Sequence, residues 1–129
     1  MQLRIVTPQR MLVDAEVTEL TAPGLAGEFG VLSQHTTFLG GLEAGVLRYR
    51  DAGGEHSLVV DGGYAEVAED VVTILADGAV TPEEVDVDAT RADLAEVESQ
   101  LSAGSEDPAD VDTLLGRQKL LQARLSLAG

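Results

Sequence analysis

The chain has 129 residues, of which 44% are hydrophobic and only 3% aromatic, and it carries a formal net charge of −15. That length suits one ordinary domain or a small domain with an appendage, with a core built from Val, Leu, Ile and Ala. So acidic a surface disfavours nucleic acid and anionic bilayers, which select clustered Lys and Arg, and it serves either solubility or a basic partner.

The chain contains no cysteine, which excludes disulfides and thiolate chemistry. No apolar leader opens it and no run approaches the ~20 apolar residues of a membrane span. The expectation is a soluble, intracellular protein.

Residues 1 to about 80 read as strands. Leu3 and Ile5 alternate with Arg4 until Thr7-Pro8 ends the run, because proline cannot donate to a ladder. Val13, Ala15 and Val17 then share one face, but past Glu19 the apolar set shifts to Leu20 and Ala22. Such a phase change marks a bulge or bend that swaps faces, which lets a long run serve two sheets of a sandwich.

The segment Ala22–Leu39, rich in Gly and holding Pro23, Glu28 and His35, is expected to be a loop-rich connection of the kind that carries binding. Further strands follow at Gly45–Arg50, Ser57–Asp61, Tyr64–Ala68 and Val71–Ala76, with breaks at Asp51–Gly54, Gly62-Gly63 and Glu69-Asp70. Short β-branched runs closed by Gly, Pro or Asp are the signature of an all-β sandwich or barrel.

At Asp77–Ala79 the character changes. Thr81-Pro82-Glu83-Glu84 matches a capping box with proline at the first helical position. A helical period then places Leu94, Val97 and Leu101 on one stripe. Ala103-Gly104-Ser105 closes that helix, and Asp107-Pro108 opens another, with Val111, Leu114, Leu121 and Leu125 in line, Leu115 beside them and Gln118 interrupting. Each stripe is narrow, suited to a seam, and the short joint predicts antiparallel neighbours.

The organisation expected is therefore a sandwich over residues 1–80 and a helical hairpin over 81–129. Charge in the hairpin is segregated: eleven acids and only Arg91 lie between Glu83 and Asp112, whereas Arg117, Lys119 and Arg124 follow Gly116 with no acid. The two helices either pair across their seam or present a basic tip to an acidic partner.

Catalytic constellations are missing. No phosphate-cradling glycine loop is present, and the one lysine, Lys119, follows Gln118 on a helix. His35 and His56 lack the company a metal site needs, and no serine sits in a G-x-S-x-G setting. The chain reads as non-catalytic on its own, with no metal and no resident cofactor.

Six segments in register carry a resemblance. Thr7–Arg10, Ala22-Pro23-Gly24, Gly27–Leu32 with His35, Gly45–Arg48, Gly62–Val67 and Val72–Asp77 together resemble the epsilon subunit of bacterial F-type ATP synthase. The resemblance runs from the first strand to the last helix. It implies a β-sandwich of about ten strands followed by a C-terminal antiparallel two-helix hairpin.

It also implies a place in the central stalk, at the cytoplasmic face of the membrane and peripheral to it. The gamma subunit and the c-ring would be partners of the sandwich, and the alpha and beta subunits partners of an extended hairpin that inhibits hydrolysis. Residue by residue, it implies a c-ring contact at Glu28, with His35 beside it, and beta-subunit contacts at Arg117, Lys119 and Arg124.

Some family members bind ATP through a motif that Val87-Asp88-Ala89-Thr90-Arg91-Ala92 matches. The implied nucleotide residues are Asp88, Arg91, Ala92 and Arg124. Glu98 stands where ATP-binding members carry a further arginine, so the implied ATP binding is weak and regulatory. Three readings follow: a rotor subunit coupling rotation to ATP synthesis, a nucleotide-sensing module whose hairpin ATP holds folded, and a β-sandwich binding domain unrelated to the synthase.

Overall fold

A computed structural model describes residues 1–33 and 37–128. Its strands are β1 (Gln2–Val6), β2 (Met11–Glu16), β3 (Glu19–Gly24), β4 (Gly27–Leu32), β5 (Phe38–Asp51), β6 (Gly54–Ala68), β7 (Val71–Ala76) and β8 (Ala79–Val80). A 3-10 turn at Pro82–Glu84 leads to helices α1 (Val87–Ala103) and α2 (Pro108–Ala128). The sheet runs β2-β1-β7-β6-β5-β3-β4, with β8 also on β6.

The sheet folds on itself because β5 and β6, of 14 and 15 residues, each serve two layers. Core residues change parity along both. In β5 the inward positions are Leu42 and then Leu47, and in β6 they are Leu58 and Val60 followed by Ala65 and Val67. The two exchanges lie side by side, since Leu42 pairs with Gly63 and Ala44 with Asp61.

In β6 the exchange is made by Gly62 and Gly63, at φ of 114° and 131°, a region open essentially to glycine alone. The expected break there is a kink in one continuous strand. Counting each half of the two long strands separately turns the eight strands into the ten of the sequence-based expectation.

The first layer, β2-β1-β7 with the C-terminal half of β6 and the N-terminal half of β5, includes a parallel β1–β7 pair. The second holds β8, the N-terminal half of β6, the C-terminal half of β5, β3 and β4. The chain passes between layers at Val17-Thr18, where the Val17 N–H donates to the Met1 carbonyl and the Thr18 N–H to the Arg50 carbonyl. The face swap expected past Glu19 thus falls slightly earlier, at Val17-Thr18. Between the layers lie Leu3, Ile5, Leu20, Val31, Leu47, Val60, Val72 and Ile74 with their aliphatic neighbours, while Phe29, Phe38 and Tyr49 pack at the margins.

The segment Ala22–Leu39 differs from the expected loop. Most of it is a tight β-hairpin, with Ala22 opposite Phe29, Pro23 opposite Glu28 and Gly24 opposite Gly27 around the turn residues Leu25-Ala26. Pro23 is tolerated because the β3–β5 register slips between Thr21 and Gly24, where a missing donor removes no ladder bond.

At the start of the helical part, the Glu84 carboxylate accepts from both the Thr81 backbone N–H and its hydroxyl. That box closes only the 3-10 turn. α1 has its own N-cap, Asp86, which accepts from the Ala89 N–H at 3.0 Å. α2 packs against α1 on one side and against the outer faces of β5 and β6 on the other.

Gly63→Ala is expected to cost more than about 2 kcal/mol in urea unfolding, because a Cβ there would overlap the Leu75 carbonyl oxygen on top of the φ strain. At Gly27 the φ is +121° but the space is open, so Gly27→Ala should cost the smaller strain term alone, about 1–2 kcal/mol.

Candidate functional site

Two surfaces gather the residues singled out by sequence. The first is the tip of the β3–β4 hairpin. Glu28 is the second residue of β4, next to the turn, exposed and with no side-chain hydrogen bond or ion pair to any described residue. The hairpin is stiffened at its base by Phe29 against Phe38, with ring centroids 5.1 Å apart. His35 lies outside the described residues.

This tip continues into an apolar row that sequence reasoning missed. Across the outer face of the first layer, Met11 pairs with Val6, Val6 with Leu75, Leu75 with Tyr64 and Tyr64 with Gly41. Leu25 folds over Gly41, and its N–H donates to the Gly41 carbonyl. Met11, Leu75, Tyr64 and Leu25 are 56, 54, 63 and 70% exposed. An exposed apolar patch of this continuity marks a protein contact more often than bare solvent. A signal existed in the run Val71-Val72-Thr73-Ile74-Leu75-Ala76, because an edge-to-edge apolar run without alternation implies cover on both faces.

The second surface is the helical hairpin. The α1–α2 seam buries Val97 and Leu121, along with the hydroxyl-bearing Thr90, whose Oγ1 donates to the Asp86 carbonyl at 2.6 Å. The segregated charges do not mainly pair across that seam. Arg117 reaches Asp93 at 3.8 Å, but Lys119 pairs with Glu43 of β5 at 2.6 Å and Arg124 with Asp61 of β6 at 3.7 Å.

The nucleotide candidates are not brought together. Asp88, Arg91 and Ala92 stand on exposed turns of α1, and no hydrogen bond or ion pair among the described residues joins Asp88 or Arg91 to Arg124. Arg124 instead lies half-buried beside Asp61, and both its Nε and the Asp61 Oδ1 are buried without a hydrogen-bond partner. Among the described residues no group of His, Cys, Asp or Glu could hold a metal ion, and no helix is long and apolar enough to cross a membrane.

At the junction between the two parts, Arg10 donates from Nη2 to both Glu84 carboxylate oxygens, at 2.7 and 2.8 Å, and contacts the Ala79 carbonyl at 3.4 Å. The Arg10 guanidinium, followed by the Thr81 N–H, pulls the Glu84 carboxyl from 4.5 down to about 2.

A family model for the ATP synthase delta/epsilon chain β-sandwich domain matches residues 1–82. The ATP synthase epsilon chain of Anaeromyxobacter sp. (strain K) is 37% identical over 127 residues, covering 98% of this chain and 96% of that one. The epsilon chain of Desulforapulum autotrophicum is 46% identical over 104 residues, 80% of this chain and 77% of the relative. Among solved structures, a chain of the Euglena gracilis mitochondrial ATP synthase, in its OSCP/F1/c-ring assembly, superposes with a TM-score of 0.83 at 25% identity, over 98% of this chain and 80% of that one.

A β-sandwich of the delta/epsilon class carrying a two-helix hairpin is thus what fold and sequence jointly define. The chain belongs to the ATP synthase epsilon chain family, whose members are non-catalytic subunits of the synthase.

The Arg10–Glu84 pair has a pH signature. Glu84 titrates lower when folded, so its contribution is fully present above pH 4.5 and is lost as pH falls toward 2. The stability difference between the chain and Arg10→Gln, read from urea midpoints, should be constant from pH 7 to 5 and shrink to nothing near pH 2.

Proposed function

We propose that the chain is the central-stalk subunit of a proton-translocating F-type ATP synthase. Its sandwich grips the gamma subunit, its β3–β4 tip stands on the c-ring, and its hairpin restrains ATP hydrolysis. The observation that carries this reading is the exposed row Met11–Val6–Leu75–Tyr64–Leu25. It lies on the sandwich face opposite the one that seats α2, so a partner can bind there while the hairpin is folded.

The row runs into the hairpin that bears Glu28, so one rigid sheet would link the gamma contact to the c-ring contact. Torque transmission needs that rigidity, and strands deliver it better than loops. Among the described residues the Glu28 side chain has no partner that would compete for it. The complex would place the protein at the cytoplasmic face of the membrane, held there by its partners.

In the folded state Lys119 and Arg124 face the sandwich and Arg117 the seam. Extension would free Arg117, Lys119 and Arg124 for acidic segments of the beta subunits, and would bring the hairpin against alpha and beta, where charge complementarity fixes register more than affinity.

The nucleotide-sensing alternative, with ATP held by Asp88, Arg91, Ala92 and Arg124, is the weaker reading. Arg124 is already engaged by Asp61, and a polyphosphate needs more than one converging cation. Titration of the isolated chain with millimolar ATP discriminates: saturable binding lost in Arg91→Ala favours the sensor.

Tyr64→Asp with Leu75→Asp should weaken association with gamma by more than about tenfold in a binding assay, as loss of buried apolar anchors does. Unchanged affinity removes the row as the gamma surface. Ending the chain after Glu84 should leave the synthase assembled and raise its ATPase rate, and an unchanged rate would remove the inhibitory role.

A further inference from the structure

The junction between sandwich and helices is not uniformly flexible. β8 is laddered to β6, with Ala79 opposite Val60 and Val80 opposite Val59. Four residues further on, Glu84 is held by the two-oxygen contact with Arg10 and by the Thr81 N–H and hydroxyl. These charge-assisted bonds, both from the one Nη2, are stronger than neutral ones, so the 3-10 turn is tied to the β1–β2 turn.

From the other side, Asp86 belongs to the helix. Its side chain caps α1 at Ala89, and its carbonyl accepts from the Thr90 N–H and hydroxyl. Between these two fixed ends stands Val85, extended at φ −78° and ψ 121°, with one backbone bond of 3.3 Å back to the Pro82 carbonyl.

Once past Val85, polar ties from the hairpin to the sandwich are few. Among the described residues they are Lys119 to Glu43 and Arg124 to Asp61. The second is an imperfect contact, 3.7 Å long, with a buried unsatisfied atom on each partner. Buried polar atoms without partners cost free energy that release into water would recover.

We propose that the hairpin is a hinged arm pivoting at Val85, with everything up to Glu84 remaining on the sandwich and with the Lys119–Glu43 and Arg124–Asp61 pairs as its catch. This rests on the reading that the hairpin moves, and it adds where the motion begins and what opposes it. The fixed body ends at Glu84, beyond the last strand. Losing the two catch pairs frees the arm, whereas losing Arg10 frees the turn.

Because the chain lacks cysteine, spin labels can be placed at introduced cysteines. The exposed positions Ala52 on the β5–β6 turn, Glu83 on the 3-10 turn and Ser99 on α1 give two distances for pulsed electron resonance. In the full-length chain, Glu43→Gln with Asp61→Asn should add a second, longer 52–99 population while the 52–83 distance stays put. Arg10→Gln alone should broaden 52–83. Glu43→Gln alone should add a smaller share of the longer 52–99 population, and the exchanged pair Glu43→Lys with Lys119→Glu, with Asp61 retained in both, should remove that share, which a merely structural role for Glu43 would not.

If 52–83 shifts together with 52–99, the pivot lies before Thr81 and the proposal fails. If 52–99 is unmoved in the double variant but lengthens within assembled synthase, the catch is wrong and the moving-hairpin reading survives. If neither distance changes in either setting, that reading fails and takes this proposal with it.

Discussion

The exchange of faces in β5 and β6 is the constraint from which the rest of the molecule follows. Leu42 and Leu47 can both point inward only if β5 changes parity between them, and Val60 and Ala65 require the same of β6. The two exchanges coincide in register, so the paired strands bend together and the ladder between them survives. Gly62 and Gly63 make this affordable, since no residue with a Cβ fits against the Leu75 carbonyl at Gly63. Folding one sheet over itself here produces an aliphatic core and two separate outer faces. One of these faces seats α2, and on the other Tyr64 and Leu75 are exposed.

Much of this was legible because strand alternation and β-branched runs report directly on a half-buried sheet. Val72, Ile74, Ala65 and Val67 are inward as their spacing dictates. What was misread shares one cause, which is that local breakers have no fixed meaning without the neighbouring strand. Gly62-Gly63 suggests an end and is a kink. Pro23 and its glycines suggest a loop and form a hairpin, because the register slip beside Pro23 supplies a place for a residue without a donor.

The helical part shows the same division. The seam positions Leu94, Val97, Leu101, Leu114 and Leu121 stand out by period, whereas the second contact face of α2 does not. Its residues Leu120 and Leu127 are half-buried, but Arg124 interrupts them, and a charge on a helix face reads as solvent. Only the tertiary pairing with Asp61 shows that this arginine faces the sheet. Likewise Thr81-x-x-Glu84 is a genuine capping pair, yet it closes a single turn because Asp86 begins the helix afresh. The acid at Glu84 gains its larger role from Arg10, 74 residues earlier, which no local pattern encodes.

Electrostatics then decides how firmly the parts are joined. With eight Lys and Arg against 23 acids, cations are the scarce species, and each one's partner is informative. An exposed pair such as Lys119–Glu43 contributes only about 0–1 kcal/mol, and the half-buried Arg124–Asp61 pair is long and leaves polar atoms unsatisfied, so the two cannot hold the hairpin alone; the apolar contact of α2 with the sheet supplies the larger share. Weak pairs are nonetheless well suited to a catch. Two of them together shift a two-state equilibrium by up to about 2 kcal/mol, a factor of roughly thirty, enough to favour one state without locking it. An acidic surface elsewhere in an assembly could compete for the same lysine and arginine on equal terms. The folded hairpin therefore rests on a hydrophobic seat with two weak ion pairs beside it, an arrangement compatible with the proposed release.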